Sequence, residues 1–311
     1  MHIVFMGSPA FAVPALQSLM SNKYDINAVY TQPDKRTGRG QQVMACPVKQ
    51  YAVSAGLNVV QPETFQDQAE IEKLRALSPD LIIVAAYGRI LPDSVLQIPE
   101  YKSINIHPSL LPKYRGPSPV AAAILNGDAV TGVTIMLVEK KVDSGPILNR
   151  KEMAVTDEDT TGTLTGKLAG LGAEMLVETI PGWVAGSVRP LAQDESLASY
   201  TRMESKEDGK LNWDLPATEL WRMVRAYQPW PGCFTTWNNA RLKVIQAVAL
   251  PDTSSGSKGE VIALPRGGPA RLAVRTGNGL LGLISVQLEG KKEMPAADFM
   301  AGHRDFTGAI L

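Results

Sequence analysis

Two polar residues stand two positions apart in the segment Ser103–Gly116, which reads SINIHPSLLPKYRG. Asn105 and His107 belong to a predicted strand, in which alternate side chains share a face, and Pro108 ends that strand. An amide on this face can donate a hydrogen bond to a developing oxyanion, and an imidazole can transfer a proton. For an isolated N-x-H pattern, the alternative is a capped strand end whose side chains satisfy the backbone of the turn.

A carboxylate follows in the segment EKKVDSG, residues 139–145. Asp143 precedes a Ser-Gly pair after an apolar strand, and Asp at such a place is usually a turn former. Its alternative role is to face the imidazole of His107, to hold the orientation of the ring and to favour the protonated form.

These segments together resemble a known family. The array N-I-H-P-S-L-L-P-x-Y-R-G, followed by G-V-T-I-M-x-V and V-D-S-G, is similar to the formyltransferases that use 10-formyltetrahydrofolate. Asn105, His107 and Asp143 match the catalytic trio of that family one for one. The resemblance therefore implies these three as catalytic residues and 10-formyltetrahydrofolate as the formyl-donor co-substrate. The sequence shows no cluster of metal-ligand residues, and we expect no metal.

Further segments extend the resemblance over nearly the whole chain. They are IVFMGSPAFAVPAL, VYTQPDKRTGRGQQVMACPVK, IVAAYGRILP, AYQPWPG and QLEGKKEMPAADF. They resemble the members that formylate the α-amine of methionyl initiator tRNA, which implies a partner in translation initiation. Two alternatives stay open: a folate-dependent formyltransferase acting on glycinamide ribonucleotide or an amino sugar nucleotide, and a catalytically silent RNA-binding module.

The resemblance also implies where the folate binds. The implied folate-lining residues are Tyr87, Gly88, Arg89, Ile90 and Leu91, after a predicted buried strand, and Ser109, Leu110, Leu111 and Pro112. Backbone groups together with apolar side chains suit a flat pterin ring. A strand-to-helix loop without a ligand is the alternative for residues 87–92.

The long connection Gln32–Lys49 carries basic residues and two glycines, Gly38 and Gly40. A solvated, mobile loop with incidental charge is one interpretation. The resemblance implies instead that Lys35, Arg36 and Arg39 contact the acceptor arm of the tRNA, with Arg39 nearest the reacting end, and that the loop becomes ordered on binding. The predicted contacts in the C-terminal part are Lys206, Lys210 and Lys243.

The composition is typical of a globular protein, and its cysteine content indicates a reducing environment. The 311 residues contain 31 basic and 31 acidic side chains, so net charge points to no polyanionic partner. Two cysteines without metal-ligand spacing argue against a disulfide framework or a zinc site. We expect no signal peptide, and the sequence contains no apolar run of roughly 20 residues. We expect a monomer of bacterial type in the cytoplasm, without a membrane partner.

Alternating short apolar runs and amphipathic stretches must position the polar residues. The predicted strands of the first half are Ile3–Met6, Ile26–Thr31, Asn58–Gln61, Leu81–Ala86, Ile104–His107, Gly132–Val138 and Pro146–Met153. The predicted helices are Val13–Met20, Pro47–Ala55, Ala69–Leu77 and Thr161–Thr179. This alternation predicts an α/β fold with a doubly wound, mostly parallel, Rossmann-like sheet and a hairpin-like extension.

The remainder of the chain has a different pattern. The expected elements are a helix at Thr218–Ala226 and strands at Cys233–Trp237, Leu242–Leu250, Gly259–Leu264, Leu272–Thr276 and Leu280–Leu288. Short strands at this spacing predict a small β-barrel of the oligonucleotide-binding (OB) type. We expect a catalytic domain at residues 1–189, a linker at 190–205 and a C-terminal tRNA-binding barrel at 206–311.

Overall fold

The computed structural model describes residues 1–37, 42–252 and 256–311. The chain forms two compact units. The first comprises Met1–Pro119, Val130–Ala154 and Thr165–Thr201, and the second comprises Val120–Ala129, Val155–Leu164 and Arg202–Leu311.

The first unit is built on a twisted sheet of mostly parallel strands. Its strands are β1 His2–Gly7, β2 Asp25–Tyr30, β3 Lys35–Thr37, β4 Gln42–Met44, β5 Val59–Val60, β6 Leu81–Ala85, β7 Ser103–His107, β8 Val130–Leu137 and β9 Ile147–Ala154. The main sheet has the order β5-β2-β1-β6-β7-β8-β9. Strands β5, β2, β1, β6 and β7 are parallel, whereas β8 and β9 form an antiparallel hairpin at one edge. Strands β3 and β4 pair with each other apart from this sheet.

Helices connect the strands. They are α1 Val13–Ser21, α2 Pro47–Ser54, α3 Gln68–Ala76, α4 Asp93–Leu96, α5 Pro119–Asn126 and α6 Thr161–Val184. Helix α2 begins at Pro47, whose fixed φ and missing N–H suit the first helical turn. Helix α3 begins after Asp67, whose side chain accepts a hydrogen bond from the N–H of Ala69.

The central strands are continuous apolar runs because both of their faces are covered. All five residues of β6 are buried, as are the last five of β1. On the neighbouring strand β7, Ile106 faces helix α6. A Cβ built on Gly172 of that helix would lie 2.7 Å from the Ile106 side chain, so only glycine lets α6 pack this closely. Asn105 and His107 therefore face the opposite side of the sheet.

The strand order reverses between β1 and β6. From β1 the chain proceeds to β2 and β5 on one side, and then returns to β6 and β7 on the other. In open α/β sheets, ligands bind in the crevice beyond the carboxyl ends of the strands at such a reversal. The crevice of this sheet is bordered by residues that follow β1, β6 and β7.

The second unit contains an antiparallel sheet. Its strands are β10 Cys233–Trp237, β11 Ala240–Leu250, β12 Val261–Ala263, β13 Leu272–Arg275, β14 Leu280–Leu288 and β15 Met294–Pro295, and its further helices are α7 Ala217–Ala226 and α8 Ala296–Gly302. The sheet has the order β10-β11-β14-β13-β12, and β15 pairs with β14. Trp237, Phe299 and Phe306 pack edge to face in its core, with ring centroids 5.1–5.6 Å apart.

The fold prediction is confirmed in its main features. A mostly parallel Rossmann-like sheet with a hairpin extension precedes an antiparallel sheet, and closure of the latter as an OB-type barrel stays a prediction. The sequence reasoning did not anticipate α5, α8 or the β3–β4 pair. Within the residues described, no helix is both long and apolar enough to cross a bilayer.

The two compact units depart in detail from the domain boundaries expected from the sequence. Residues 120–129 and 155–164, expected in the catalytic domain, lie in the second unit, and residues 190–201, expected as linker, lie in the first. Leu191 pairs with Ile147 of β9, and Tyr200 pairs with Arg115. The limits of independently folding domains stay a prediction, which limited proteolysis would test.

Candidate active site

Asn105 and His107 stand at the carboxyl end of β7, beside the crevice. Asn105 pairs with Val84 of β6 on one side and with Met136 of β8 on the other. His107 is 4% exposed, whereas Asn105 is half-buried. Among the described residues, none forms a hydrogen bond with the side-chain amide of Asn105. That amide is therefore free to donate to a bound ligand.

The two nitrogens of the His107 ring have different neighbours. Its Nε2 lies 3.0 Å from the backbone oxygen of Tyr114, and its Nδ1 lies 3.6 Å from Oδ2 of Asp143. A carbonyl oxygen only accepts hydrogen bonds, so Nε2 carries a hydrogen and donates a hydrogen bond to the carbonyl of Tyr114. Since 3.6 Å is longer than a hydrogen bond, Nδ1 has no hydrogen-bond partner in the part of the chain that the structure describes, and it is the nitrogen that can exchange a proton with a reactant.

Both residues that contact the ring have unusual backbone conformations. Tyr114 has φ of 61° and Asp143 has φ of 50°, in the left-handed region that is sparsely populated by residues other than glycine. Such conformations persist where the surrounding structure over-determines them, and they concentrate at functional sites. The N–H of Gly116 donates to Oδ2 of Asp143 at 2.8 Å, so the same carboxylate oxygen faces His107 and is fixed by the backbone.

Asp143 reaches His107 from the far end of the strand. Because β8 runs antiparallel to β7, its last residue, Leu137, pairs with Ile104, near the start of β7. His107 lies three residues further along, or about 10 Å at the usual rise of a strand. The loop between β8 and β9 must therefore fold back across the face that carries Asn105 and His107.

The nine predicted folate residues lie in two loops at the carboxyl edge of the sheet. Tyr87, Leu91, Ser109 and Leu111 are buried, whereas Gly88, Arg89, Ile90, Leu110 and Pro112 are at least partly exposed. Ile90 is 76% exposed although it is apolar, and it leaves an apolar surface at the mouth of the crevice. Burial raises the pKa of Tyr87 to about 12, so its hydroxyl stays protonated.

A polar network, which the sequence reasoning missed, borders the same crevice. The Gln32 side chain donates to the carbonyl of Tyr87 at 2.9 Å, and its backbone N–H donates to the Ser8 hydroxyl. Gln61 donates to the carbonyl of Gln32, and Lys49 lies 2.6 Å from Asp34. Lys49 is the last residue of the basic connection Gln32–Lys49, and its charge is paired with Asp34. Only the position of Gln32 directly after one predicted strand, and of Gln61 at the end of another, could have pointed to this network.

The predicted tRNA-binding residues of the connection are only partly described. Lys35 begins β3, and its Nζ lies 2.8 Å from the Gln32 side-chain oxygen. The backbone of Arg36 belongs to β3 and pairs with Val43. Arg39 lies outside the described residues.

The other three predicted contacts, Lys206, Lys210 and Lys243, are exposed residues of the second unit. Two of them flank one aromatic residue. Lys243 pairs with Phe234 across β10 and β11, and Lys210 forms a bridge to Phe234 on its other side. Arg241, two residues from Lys243, places its guanidinium carbon 4.0 Å from the centre of the Phe234 ring. We call Lys210, Phe234, Arg241 and Lys243 the basic face of the second unit.

The family of the chain follows from comparison with known proteins. A model described as formyl transferase matches residues 1–180, and one described as formyl transferase, C-terminal domain, matches residues 204–304. The chain belongs to the formyltransferase family. Its relatives include methionyl-tRNA formyltransferases of Roseiflexus sp. (strain RS-1), 48% identical over 100% of this chain and 95% of the relative, and of Methylococcus capsulatus, 44% identical over 97% of each.

Solved structures share the fold of this formyltransferase. An N-formyltransferase of Helicobacter canadensis, in complex with folinic acid and dTDP-3-aminofucose, has a TM-score of 0.66 at 18% identity over 90% of this chain and 98% of that one. HypX of Aquifex aeolicus in complex with tetrahydrofolic acid has a TM-score of 0.66 at 17% identity. It matches 98% of this formyltransferase, which spans 48% of HypX. In the described part of the chain, no group of three or more His, Cys, Asp and Glu side chains is arranged to hold a metal ion.

Proposed function

We propose that this formyltransferase transfers a formyl group from 10-formyltetrahydrofolate to the α-amine of methionine esterified to initiator tRNA. The observation that carries the proposal is the approach of Asp143 to His107 at 3.6 Å beside the free amide of Asn105. Family membership supports the reaction type, and full-length relatives named methionyl-tRNA formyltransferase support the acceptor.

The folate supplies the formyl group, and the three polar side chains act on it. The amide of Asn105 donates a hydrogen bond to the formyl oxygen, whose negative charge grows as the amine adds to the formyl carbon. An oxyanion donor of this kind typically contributes roughly 10²–10³ in rate. His107, through Nδ1, and the carboxylate of Asp143 take up the proton that the attacking amine loses. The same proton is then delivered to the folate nitrogen from which the formyl group departs.

The crevice fits a folate at several points. Its mouth carries the exposed apolar side chain of Ile90, and the carbonyl of Gly88 lies 3.3 Å from Nε2 of Gln32, in the polar network described above. An apolar surface with a few fixed polar groups is the usual lining of a small-molecule site. We include the nine folate-lining residues in the proposal, with contacts from Tyr87, Leu91, Ser109 and Leu111 made through their backbone.

The basic face of the second unit supports binding of the tRNA. Lys210, Arg241 and Lys243 present positive charge side by side, and phosphate contacts by such groups supply most of the affinity for a nucleic acid. We assign Lys206, Lys35, Arg36 and Arg39 to the same partner. The alternative acceptors, glycinamide ribonucleotide and amino sugar nucleotides, are much smaller than this surface.

The experiment offers 10-formyltetrahydrofolate with each of three acceptors: methionyl initiator tRNA, glycinamide ribonucleotide and dTDP-3-aminofucose. Mass analysis of each acceptor detects the added formyl group. We expect a product only with methionyl-tRNA. A product with a small nucleotide alone would replace the acceptor in this proposal, and no product with any acceptor, despite tRNA binding, would favour the silent RNA-binding module.

A further inference from the structure

A buried arginine lies in the short segment whose backbone contacts His107 and Asp143. Arg115 is 0% exposed, although arginine is rarely buried unless its charge is paired. It stands between Tyr114, whose carbonyl accepts from His107, and Gly116, whose N–H donates to Asp143. Residues 114–116 thus serve both members of the His–Asp pair through their backbone, and the side chain between them has a separate set of partners.

The guanidinium of Arg115 binds the segment 193–200. Its Nε and Nη2 donate to the side-chain oxygen of Gln193 at 3.1 and 2.8 Å, and Nη2 donates to Glu195 at 2.7 Å. Its Nη1 donates to the hydroxyl of Tyr200 at 3.0 Å. These contacts hold the pKa of Glu195 at about 2, because the carboxylate is paired with Arg115 and with Lys141.

Gln193 connects this arginine to the loop of Asp143. Its side-chain oxygen is fixed by Arg115, so its amide nitrogen points away from the guanidinium. That nitrogen donates to the backbone oxygen of Asp143 at 2.9 Å and to that of Gly145 at 2.8 Å. One side chain therefore holds two carbonyls of the segment that must fold back across the sheet to reach His107.

We infer that Gln193, anchored by Arg115, is a positioning residue that holds Asp143 against His107. The inference rests on the proposed roles of these two residues. Three observations carry it. Asp143 has a left-handed backbone conformation, and the strand pairing starts its loop about 10 Å from His107. The side-chain nitrogen of Gln193 donates hydrogen bonds to the carbonyls of this loop. The loop reaches the ring only while it is folded back, and the amide of Gln193 fixes that conformation.

Two substitutions separate the two ends of the Gln193 side chain. Gln193→Glu keeps an oxygen for Arg115 but replaces the donor that faces the loop carbonyls with a second acceptor. Gln193→Leu removes both ends. Gln97→Leu, at an exposed glutamine of the same unit, is the matched control. We expect Gln193→Glu and Gln193→Leu each to lower kcat about tenfold, the typical worth of one hydrogen bond, with little change in KM for folate or tRNA.

The test combines turnover with hydrogen exchange of the amides of residues 139–145. In both Gln193 variants we expect faster exchange there, and in Gln97→Leu we expect wild-type exchange and turnover. The loss of kcat should largely disappear in an Asp143→Asn background, because a missing carboxylate needs no positioning. A general loss of folding would instead lower the melting temperature and add to the Asp143→Asn loss.

An additive loss of that kind would overturn the inference, as would wild-type exchange in both Gln193 variants or full restoration of turnover by Gln193→Glu. Failure of the proposed function has a different signature. In that case the wild type forms no formylated methionyl-tRNA, while the exchange measurement still reports whether Gln193 holds the loop.

Discussion

The backbone oxygen of Tyr114 lies 3.0 Å from Nε2 of His107 and determines which ring nitrogen is free to react. Since the carbonyl accepts a hydrogen bond from Nε2, the other nitrogen, Nδ1, faces Asp143 and is the one assigned to proton transfer. A histidine that transfers a proton needs one ring nitrogen fixed by the protein and the other left for the reaction. The fixed side of the ring comes from the same short segment as His107, whereas the reactive side is completed by a residue 36 positions further along the chain.

The basic face of the second unit predicts the salt dependence of tRNA binding. Lys210→Ala, Arg241→Ala and Lys243→Ala should each weaken binding and lower the slope of log K against log salt by about one unit for each lost phosphate contact. Filter binding at several salt concentrations measures both quantities. Lys258→Ala, which removes a cation paired with Asp214 elsewhere in this unit, is the control. Unchanged slopes in all three variants would exclude this face as the tRNA site.

Arg39 can be tested although it lies outside the described residues. The sequence resemblance places it nearest the reacting end of the tRNA, so Arg39→Ala should lower formylation of methionyl-tRNA about 10- to 100-fold, the value of one charge-assisted hydrogen bond. Folate affinity should be unaffected. Arg39→Lys should restore only part of the rate, because a point charge cannot reproduce the planar fork of a guanidinium. Arg75→Ala, on helix α3, is the control, and equal rates for Arg39→Ala and the wild type would end this assignment.

The two cysteines should differ in reactivity. Cys233 is 1% exposed, and burial raises the pKa of its thiol to about 12, so almost no thiolate forms at pH 8. Cys46 is half-buried. With a thiol reagent at pH 8, we expect one equivalent to react with the folded protein, at Cys46, and a second only after unfolding. Rapid labelling of Cys233 in the folded protein would mean that the core of the antiparallel sheet opens.

The pairing of Glu195 predicts a pH-dependent contribution to stability. Its pKa is lowered from the ordinary 4.5 to about 2 by hydrogen bonds from Arg115 and Lys141. A carboxylate whose pKa is lowered on folding stabilises the folded state fully above pH 4.5, and this contribution is lost as the pH falls toward 2. Glu195→Gln should therefore lower the melting temperature at pH 7 and have a shrinking effect between pH 4.5 and 3. An equal effect at pH 7 and pH 3 would contradict this account.

The sequence predicted the elements of the site better than the contacts between them. Periodicity placed Asn105 and His107 on one face at the end of a strand, since that arrangement depends only on local backbone geometry. Periodicity could not predict that Asp143 lies close to His107, because the pairing of β8 with β7 starts the Asp143 loop at the opposite end of the strand. Gln193 lay in a segment without periodicity, and its function depends on Arg115, 78 positions away.

The basic connection shows a similar limit. Its composition indicated exposed cations, but Lys49 is paired with Asp34 at its base and Lys35 contacts Gln32. Whether a charge in a loop is free or paired depends on residues brought together by the sheet. Composition alone does not contain that information.

The most direct test of the central claim is the single-turnover rate of formyl transfer to methionyl-tRNA in wild type and Asp143→Asn. The substitution keeps the size of the side chain and removes the charge beside His107. We predict a fall in rate of about 10²–10⁴, the usual contribution of general acid–base catalysis, with unchanged affinity for folate and tRNA. Asp25→Asn, an exposed aspartate of the same unit, should keep the wild-type rate. A wild-type rate in Asp143→Asn would contradict the assignment of this site.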